Sequence, residues 1–229
     1  MRTGTPTMRG IVLDFDGVIV RSMERHAQAY RETLKPFRVS VTDQMVFERE
    51  GGRSESLIRD FLRLAGKPQE DGLVTRLALD KQRRFTALGP APLYPGAEAL
   101  IAHARRAADR LGLVTGTRRE NLERFIPHLL PQFDAVLAQD GYGHDKPHPE
   151  PYEKVAKALA LPTARCAAVE NAPNGVQSAK AAGYAYVIGI TTTVTGEALR
   201  QAGASAVVAT HAEAAALLAE WARTTSSVA

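Results

Sequence analysis

Two aspartates near the start of the chain have the type and spacing that metal-assisted phosphate chemistry needs. Asp14 and Asp16 follow the apolar run 11–13, and Gly17, which permits a sharp turn, comes next. Residues two apart in a strand point to the same side, so we expect both carboxylates to face one point. Paired carboxylates can bind Mg²⁺, and one of them can act as a nucleophile that forms an acyl phosphate. An acidic loop that caps a helix is the alternative, and the preceding strand-like run disfavours it.

A second polar stretch follows another apolar run. Residues 111–114 lead into Thr115-Gly116-Thr117, after which a helical pattern begins. The hydroxyl of Thr115 and the adjacent backbone N–H groups, including that of Gly116, would form an anion site at a helix N-terminus. Thr117 and Glu120 have the spacing of a capping box. We therefore assign Thr117 to helix capping and Thr115 to phosphate binding.

The third stretch is a loop that holds a lysine among prolines. Lys146 precedes Pro147, and Pro149 suits the first turn of the next helix, so the two prolines stiffen the loop. A lysine held rigidly beside several carboxylates would place a positive charge against a phosphoryl group. A surface lysine is the alternative for this residue taken alone. His144 and His148 flank it, but their spacing fits no zinc motif, and we expect both to face solvent.

The fourth stretch comes after the apolar run 166–169 and offers oxygen atoms to a metal. Glu170 and Asn171 supply a carboxylate and an amide oxygen, and Mg²⁺ prefers oxygen ligands. Asn174 lies near the start of the next expected helix and is a candidate cap for it. The chain has no glycine-rich nucleotide motif, no zinc-protease motif and no serine-hydrolase elbow.

Short apolar runs and helical stretches alternate along most of the chain. The expected strands are 8–14, 111–114, 135–137, 166–169 and 184–190, and the expected helices are 97–108, 118–126, 149–160 and 175–182. This alternation predicts an α/β fold, a Rossmann-like parallel sheet with helices on both faces. Ligands bind at the carboxyl ends of the strands in such sheets, and the four polar stretches follow those ends.

Residues 21–88 interrupt the alternation with a helical pattern that contains no convincing strand. Two neighbouring rows are expected to form its apolar face: Leu57, Phe61 and Leu64, with Ile58, Leu62 and Ala65 beside them. Glycines and prolines at 89–96 are typical of a hinge. We therefore expect an α/β catalytic core formed by residues 1–20 and 90–229, with an inserted α-helical cap at 21–89.

Composition excludes several classes of protein. The 229 residues are 45% hydrophobic and 24% charged, as in globular proteins, and no apolar run approaches the ~18 residues of a membrane span. The net charge of +4 is dispersed and lacks interleaved aromatic residues, so we expect no nucleic-acid or membrane partner. Residues 1–7 lack the apolar stretch of a signal peptide, and the single cysteine, Cys166, fits a reducing cytoplasm.

The four polar stretches, taken in order, resemble the haloacid dehalogenase-like hydrolase superfamily over nearly the whole chain. The matching residues are Asp14-Phe15-Asp16-Gly17-Val18, Thr115, Lys146-Pro147 with Tyr152, Glu170-Asn171, Asn174-Gly175 and 179–183. The position of the helical insert resembles the cap of the subgroup that contains β-phosphoglucomutase and phosphoglycolate phosphatase. The resemblance implies a Mg²⁺-dependent phosphatase that acts on a small phosphate monoester, such as a phosphosugar or a short phosphorylated acid.

The same resemblance implies a role for each site residue. Asp14 would attack phosphorus and become an aspartyl phosphate. Asp16 would protonate the leaving oxygen and then deprotonate the water that hydrolyses the intermediate. Thr115, Gly116 and Lys146 would hold the phosphoryl oxygens. The implied Mg²⁺ ligands are Asp14, the backbone carbonyl of Asp16, Glu170 and Asn171.

The chain departs from the family pattern at one metal-ligand position. The family usually has an aspartate where this chain has Asn171, whose amide oxygen carries no charge. Metal affinity would then fall or depend more on Glu170, and we predict that Mg²⁺ binding persists. In the cap, Arg53 resembles an arginine of the mutase-like subgroup that meets the far end of a phosphorylated substrate, and His26 matches a histidine of that subgroup. A surface arginine and a packed histidine are the alternatives.

Two other functions stay open at this point. A β-phosphoglucomutase-like mutase would keep a bisphosphorylated intermediate bound, and Arg53 would matter more to it. A phosphate-binding module without turnover is suggested only by Asn171, and the intact Asp14, Asp16 and Lys146 argue against it. In each case the expected partner is a small phosphorylated metabolite. We expect a monomer or a weak dimer.

Overall fold

The computed structural model describes residues 8–224, so the expectation about residues 1–7 lies outside the described residues. Six parallel strands form one sheet in the order β3-β2-β1-β4-β5-β6. The strands are β1 (Gly10–Asp14), β2 (Arg110–Val114), β3 (Ala135–Leu137), β4 (Cys166–Glu170), β5 (Tyr186–Ile190) and β6 (Ala206–Val208). The five predicted strands are confirmed. The strand β6 was not predicted, because it has three residues and therefore no clear periodic pattern.

The central strand β1 pairs with β2 and β4. Asp14 is opposite Val114, and Leu13 is opposite Val169, so these three strands end at nearly the same level. Side chains on both faces of β1 are buried, which explains why the strand is a continuous apolar run. The residues that follow the three strands therefore meet at one edge of the sheet.

Helices cover both faces of the sheet, as predicted for a Rossmann-like α/β fold. The helices after the insert are α5 (Ala97–Ala107), α6 (Arg119–Phe125), α7 (Glu150–Ala158), α8 (Pro173–Ala181), α9 (Gly196–Gln201) and α10 (His211–Thr224). Ile11 and Leu13 pack into the apolar cluster that contains α5 and α10, whereas Val12 packs into the cluster that contains α7 and α8. This alternation follows from the two-residue period of a strand. The helices α9 and α10 were not predicted.

Four helices lie between β1 and α5, and no strand occurs among residues 21–88. They are α1 (Met23–Leu34), α2 (Asp43–Phe47), α3 (Ser54–Leu64) and α4 (Asp71–Ala87). We call residues 21–89 the insert. It has its own apolar cluster, to which α3 contributes Leu57, Ile58, Phe61 and Leu62. The prediction that Leu64 and Ala65 belong to this apolar face is wrong. Both are exposed, Leu64 by 54%, because α3 ends at Leu64 and its contribution to the apolar cluster ends at Leu62.

No helix among residues 8–224 is long and apolar enough to cross a membrane. The division of the chain into separate core and cap domains at residues 20 and 90 stays a prediction.

Candidate active site

The candidate site is a cavity of about 50 Å³ between the carboxyl edge of the sheet and the insert. The core supplies Asp14 from the end of β1, Glu170 from the end of β4, and Lys146 from the loop before α7. The insert supplies His26, Glu50 and Lys81, together with the apolar side chains of Met23, Tyr30, Val46 and Leu57. The charged groups of the site are thus brought together from segments far apart in sequence.

Lys146 links two carboxylates at the floor of the cavity. Its Nζ donates to Asp14 Oδ1 and to Glu170 Oε1, each at 2.6 Å, and Tyr152 donates to the same Glu170 oxygen at 2.7 Å. Burial and the neighbouring Glu170 raise the pKa of Asp14 well above its usual value, although Lys146 opposes the rise. Burial alone would lower the pKa of Lys146, but Asp14 and Glu170 outweigh it and raise this pKa. Lys146 is therefore a buried cation, as the sequence predicts.

Asp16 accepts hydrogen bonds from both sides of the cavity. Ser22 and Thr117 donate at 2.5 and 2.7 Å, Thr115 donates at 3.2 Å, and His26 Nε2 lies 3.3 Å away. Burial raises the pKa of Asp16, but the hydrogen bonds from His26, Ser22 and Thr117 outweigh it and lower the pKa to about 2. Asp16 is thus a carboxylate at neutral pH.

The predicted capping role of Thr117 is wrong. The helix α6 begins at Arg119 after Arg118, whereas the Thr117 hydroxyl donates to Asp16. A cap would need the Thr117 hydroxyl to accept from N–H groups of the helix, but Thr117 precedes the N-cap residue and its hydroxyl donates a charge-assisted hydrogen bond to Asp16 instead. Thr115 also donates to Asp16, and its own hydroxyl accepts from the backbone N–H of Thr117.

Two basic residues of the insert continue the network behind Asp16. Lys81 Nζ donates to His26 Nδ1 at 2.9 Å, so the proton of the neutral imidazole is on Nε2, facing Asp16. Burial lowers the pKa of Lys81 to about 8. Burial and Lys81 together lower the pKa of His26. The imidazole also stacks on Phe85 at 4.0 Å between ring centroids.

Lys81 was not predicted, although its position in the sequence of α4 indicates that it is buried. The buried residues of α4 are Val74, Leu77, Ala78, Lys81 and Phe85, so the lysine falls on the apolar face of an amphipathic helix. A lysine at such a position is rarely left without a function or a partner. Ser22 and Glu50 were also missed, and their positions outside regular elements give no periodic signal.

Asn171 connects the core to the insert on the other side of the cavity. Its Nδ2 donates to Glu50 Oε2 at 2.6 Å and to Thr193 Oγ1 at 3.0 Å. The close approach of Asn171 depends on Gly17, which has φ +82° and whose added Cβ would lie 2.1 Å from Asn171 Nδ2. Burial and the carboxylates of Asp14 and Asp16 raise the pKa of Glu50 well above its usual value.

The donor set fits a hard divalent cation. Asn171 Oδ1 is a buried oxygen with no hydrogen-bond partner among residues 8–224. The preceding residue, Glu170, accepts from the backbone N–H of Asn171 at 3.2 Å, and burial together with Glu170 raises the pKa of Asp14. An unpaired amide oxygen among crowded carboxylates is the environment that Mg²⁺ satisfies, since it takes oxygen ligands. Of the four predicted metal-site residues, Asp14, Asp16 and Glu170 line the cavity, and Asn171 follows Glu170 and bonds to the lining residue Glu50.

Arg53 lies outside the cavity lining. Its backbone N–H donates to Asp145 Oδ2 at 2.8 Å, and its guanidinium contacts Asp145 Oδ1 at 3.1 Å and donates to the carbonyl of Tyr142 at 2.7 Å. All three contacts join the insert to the loop that carries Lys146. Gly116, by contrast, lines the cavity as predicted for a phosphate-binding backbone.

Two secondary predictions have different outcomes. Asn174 does not cap α8, because the helix begins at Pro173 and Asn174 lies inside its first turn. His144 and His148 are exposed, as predicted. They come within 4.8 Å of Glu150, but the carboxylate of Glu150 already accepts from Lys154 and from the backbone of the loop.

Comparison with known proteins agrees with this geometry. A family model described as haloacid dehalogenase-like hydrolase matches residues 8–183. A phosphorylated carbohydrates phosphatase of Thermotoga maritima is 28% identical over 210 residues, which cover 88% of this chain and 94% of that protein. A β-phosphoglucomutase of Bacillus subtilis is 25% identical over 191 residues, which cover 80% of this chain and 83% of that protein.

A solved structure extends the comparison to three dimensions. The crystal structure of CbbY from Rhodobacter sphaeroides in complex with xylulose-(1,5)bisphosphate has a TM-score of 0.72 and 28% identity to this chain. The match covers 90% of this chain and 96% of that one. The resemblance predicted from the four polar stretches is thus confirmed at the level of family and fold.

Proposed function

The chain belongs to the haloacid dehalogenase-like hydrolase family and is a phosphohydrolase, and from this premise we propose that it is a Mg²⁺-dependent phosphatase of small phosphate monoesters. The observation that carries the proposal is the convergence of Asp14, Asp16 and Lys146 on one buried cavity. Phosphoryl transfer needs positioning and charge neutralisation more than elaborate covalent chemistry, and these residues supply both.

In the first step, a carboxylate oxygen of Asp14 attacks phosphorus. A bond forms between that oxygen and phosphorus while the ester P–O bond breaks, which gives an aspartyl phosphate and the free alcohol. Lys146 neutralises charge on the phosphoryl oxygens, and Gly116 offers its backbone beside them. The leaving oxygen takes its proton from Asp16.

In the second step, a water molecule attacks the phosphorus of the aspartyl phosphate. Asp16 accepts a proton from that water, the bond between Asp14 and phosphorus breaks, and inorganic phosphate leaves. Both aspartates return to their starting states. Asp16 thus acts as a general acid in the first step and as a general base in the second, so it changes its protonation state in each step.

The protonation state of Asp16 before substrate binds affects its role as the acid of the first step. Its pKa of about 2 suits the base of the second step, not the acid of the first. A phosphate dianion beside Asp16 raises the pKa of the carboxyl, because like charges disfavour ionisation. The substrate therefore favours the protonated form that the first step uses.

The proposed Mg²⁺ would be held by Asp14, the backbone carbonyl of Asp16, Glu170 and Asn171. The bound ion would neutralise charge on the phosphoryl group and on Asp14. The unpartnered Asn171 Oδ1 supports this assignment. A missing charge at position 171 weakens electrostatic attraction but leaves a competent oxygen ligand.

The residues around the cavity favour a phosphatase over a mutase. A mutase must bind a second phosphate, and Arg53, the residue predicted for it, is instead occupied by Asp145 and Tyr142. Glu50 adds a carboxylate to the wall supplied by the insert, and a carboxylate repels a second phosphate. We therefore propose a small monophosphate ester as the substrate.

Phosphate release from a panel of metabolite monoesters, with Mg²⁺ and with EDTA, tests the proposal. Asp14→Asn should abolish release, and EDTA should suppress it in the wild type. Asp140→Asn, which changes an exposed aspartate of the core, should leave the rate unchanged. Release by Asp14→Asn near the wild-type rate would remove Asp14 as the nucleophile.

Two other outcomes would favour the competing functions. Conversion of β-glucose 1-phosphate to glucose 6-phosphate with little free phosphate would indicate a mutase. Binding of vanadate without turnover of any ester would indicate a phosphate-binding module.

A further inference from the structure

The orientation of the Asn171 amide is fixed by its two acceptors. Both N–H groups of Nδ2 are used, one by the Glu50 carboxylate and the other by the Thr193 hydroxyl. A flipped amide would place Oδ1 2.6 Å from a carboxylate oxygen of Glu50, which is repulsive. Oδ1 therefore occupies the remaining direction, where it is buried and unpartnered.

The residue that fixes this orientation comes from the insert. Glu50 lies between α2 and α3 and is 121 residues from Asn171 in the chain. The next residue, Gly51, has φ +97°, and an added Cβ would lie 2.9 Å from Lys146 Cβ. The backbone of the insert thus lies directly against the core at this point, and it carries Glu50 to Asn171.

Glu50 also changes the charge of the cavity. Among its lining residues in the described part of the chain, Asp14, Asp16, Glu50 and Glu170 are carboxylates. Lys146 contacts two of them, Asp14 and Glu170, whereas Glu50 is bonded to the neutral amide of Asn171. A divalent cation at this site would favour the ionised form of Glu50, which would supply the negative charge missing at position 171 from the neighbouring side chain, on the insert.

We propose that Glu50 is a positioning residue for the cation site, which it serves by fixing Asn171 Oδ1 and by supplying the negative charge that Asn171 lacks. The inference rests on the proposed Mg²⁺ dependence. It has a thermodynamic consequence: Glu50 reaches Asn171 only when the insert is closed on the core. Cation binding must then stabilise the closed form, and closure must tighten cation binding by the same factor.

The pair also explains why asparagine is suited to position 171. An aspartate there would set a second carboxylate oxygen 2.6 Å from Glu50 in the closed form, with no proton between them. Asparagine replaces this repulsion by a charge-assisted hydrogen bond. Residues 50 and 171 therefore act as a unit, with one negative charge between them.

A double-mutant cycle measured by isothermal titration with Mg²⁺ tests the pair without any turnover. The variants are Glu50→Gln, Asn171→Asp and the double variant. Glu50→Gln keeps the shape and an acceptor oxygen but removes the charge, and we expect affinity for Mg²⁺ to fall about tenfold to hundredfold. The effect of Asn171→Asp on Mg²⁺ affinity should depend on residue 50. In the Glu50→Gln background the new aspartate meets no carboxylate at position 50, so its effect on affinity should be at least about tenfold more favourable than in the wild-type background.

A control variant tests whether any lost carboxylate lowers the affinity, and a second variant tests the other acceptor of the Asn171 amide. Glu48→Gln removes an exposed carboxylate two residues away and should leave the affinity unchanged. Thr193→Val removes the other acceptor of the Asn171 amide without changing charge, and it should weaken Mg²⁺ binding by a smaller factor than Glu50→Gln. Melting curves establish that each variant is folded.

Hydrogen exchange supplies the second readout. Mg²⁺ should protect the backbone amides of residues 48–53 in the wild type, since the ion favours the closed insert, and should protect them less in Glu50→Gln. Equal affinity and equal protection in the wild type and Glu50→Gln, or additive effects in the cycle, would overturn the role of Glu50. Those results would leave the Asp14→Asn test untouched, whereas a wild type that binds no Mg²⁺ would overturn both this role and the metal dependence.

Discussion

The two walls of the cavity are assembled in different ways. The core wall consists of residues that follow neighbouring strands, such as Asp14 and Glu170, and they contact one another through Lys146. The wall formed by the insert consists of residues from separate helices and loops, such as His26, Glu50 and Lys81, and two of them contact the core through single hydrogen bonds.

This difference indicates that the core wall supplies the groups for phosphoryl transfer and that the insert adjusts their properties. Asp14 and Glu170 are fixed by the register of the sheet, whereas Lys146 is on a loop against which Gly51 and Arg53 of the insert also pack. The groups of the insert reach Asp16 and Asn171 only across the interface. They are suited to adjusting acidity, metal affinity and closure, and their removal should cost less than removal of a core group.

The largest expected effect is at the core wall. Lys146→Met leaves Asp14 and Glu170 facing each other without a cation and should lower the free energy of unfolding by about 3–5 kcal/mol. Phosphate release should fall at least about 10²-fold. Urea unfolding and phosphate release measure these changes. Lys154→Met, which removes an exposed partner of Glu150, should change stability by less than about 0.5 kcal/mol, and an equal loss in both variants would contradict the comparison.

The next effect concerns the buried lysine of the insert. Lys81 has a pKa of about 8 in the folded protein and 10.5 as its ordinary value, so the unfolded chain binds the extra proton between these two pH values. Stability should therefore rise with pH across this window, by up to about 3 kcal/mol from this group. The rise should be absent in Lys81→Met. Urea unfolding of both proteins at pH 7, 8.5 and 10 measures the difference, and parallel pH curves would refute it.

A smaller effect is expected for the histidine between Lys81 and Asp16. His26→Phe keeps the ring stacked on Phe85 but removes the Nε2–H donor to Asp16. We expect kcat to fall about tenfold to hundredfold with little change in KM, because the change alters the acid–base group and not phosphate binding. His103→Phe, at an exposed position of α5, is the control. A change confined to KM would assign His26 to substrate binding instead.

The smallest effect is expected at the contact between Arg53 and Asp145. Arg53 is about one-third exposed, so screening limits the pair to about 1 kcal/mol or less. If the pair only holds the insert closed, Arg53→Gln should raise KM by less than about fivefold and equally for every ester. Arg59→Gln, within the insert, serves as the control. A KM change that depends on the far end of the ester would show that Arg53 contacts the substrate.

The core side of the site could be predicted from the sequence for a physical reason. Asp14 and Glu170 end buried parallel strands, and Lys146 is on the loop between β3 and α7. Because parallel strands end at one edge of the sheet, local patterns were enough to bring these three residues together. Thr117 was assigned wrongly because its spacing to Glu120 fits a cap equally well. Only the tertiary position of Asp16 shows that the Thr117 hydroxyl donates to a carboxylate.

The insert could be predicted as helical, but its contribution to the site could not. The apolar face of α3 was correct for Leu57 and Phe61 and wrong for Leu64, whose burial depends on where the helix ends. Lys81 carried a signal as a lysine on an apolar helix face. Glu50 carried none, because neither its neighbours in sequence nor any helical period indicate what it faces.

By itself the sequence determined the parallel sheet, the edge at which its polar loops meet, and the residue types available there. These follow from hydrophobic periodicity and from the geometry of parallel strands, which act over short distances along the chain. Only the tertiary structure decided that Glu50 bonds to Asn171, that Lys81 and His26 stand behind Asp16, and that Arg53 is bonded outside the cavity. Those contacts depend on how the insert packs against the core, which neither a helical period nor the common edge of the parallel strands indicates.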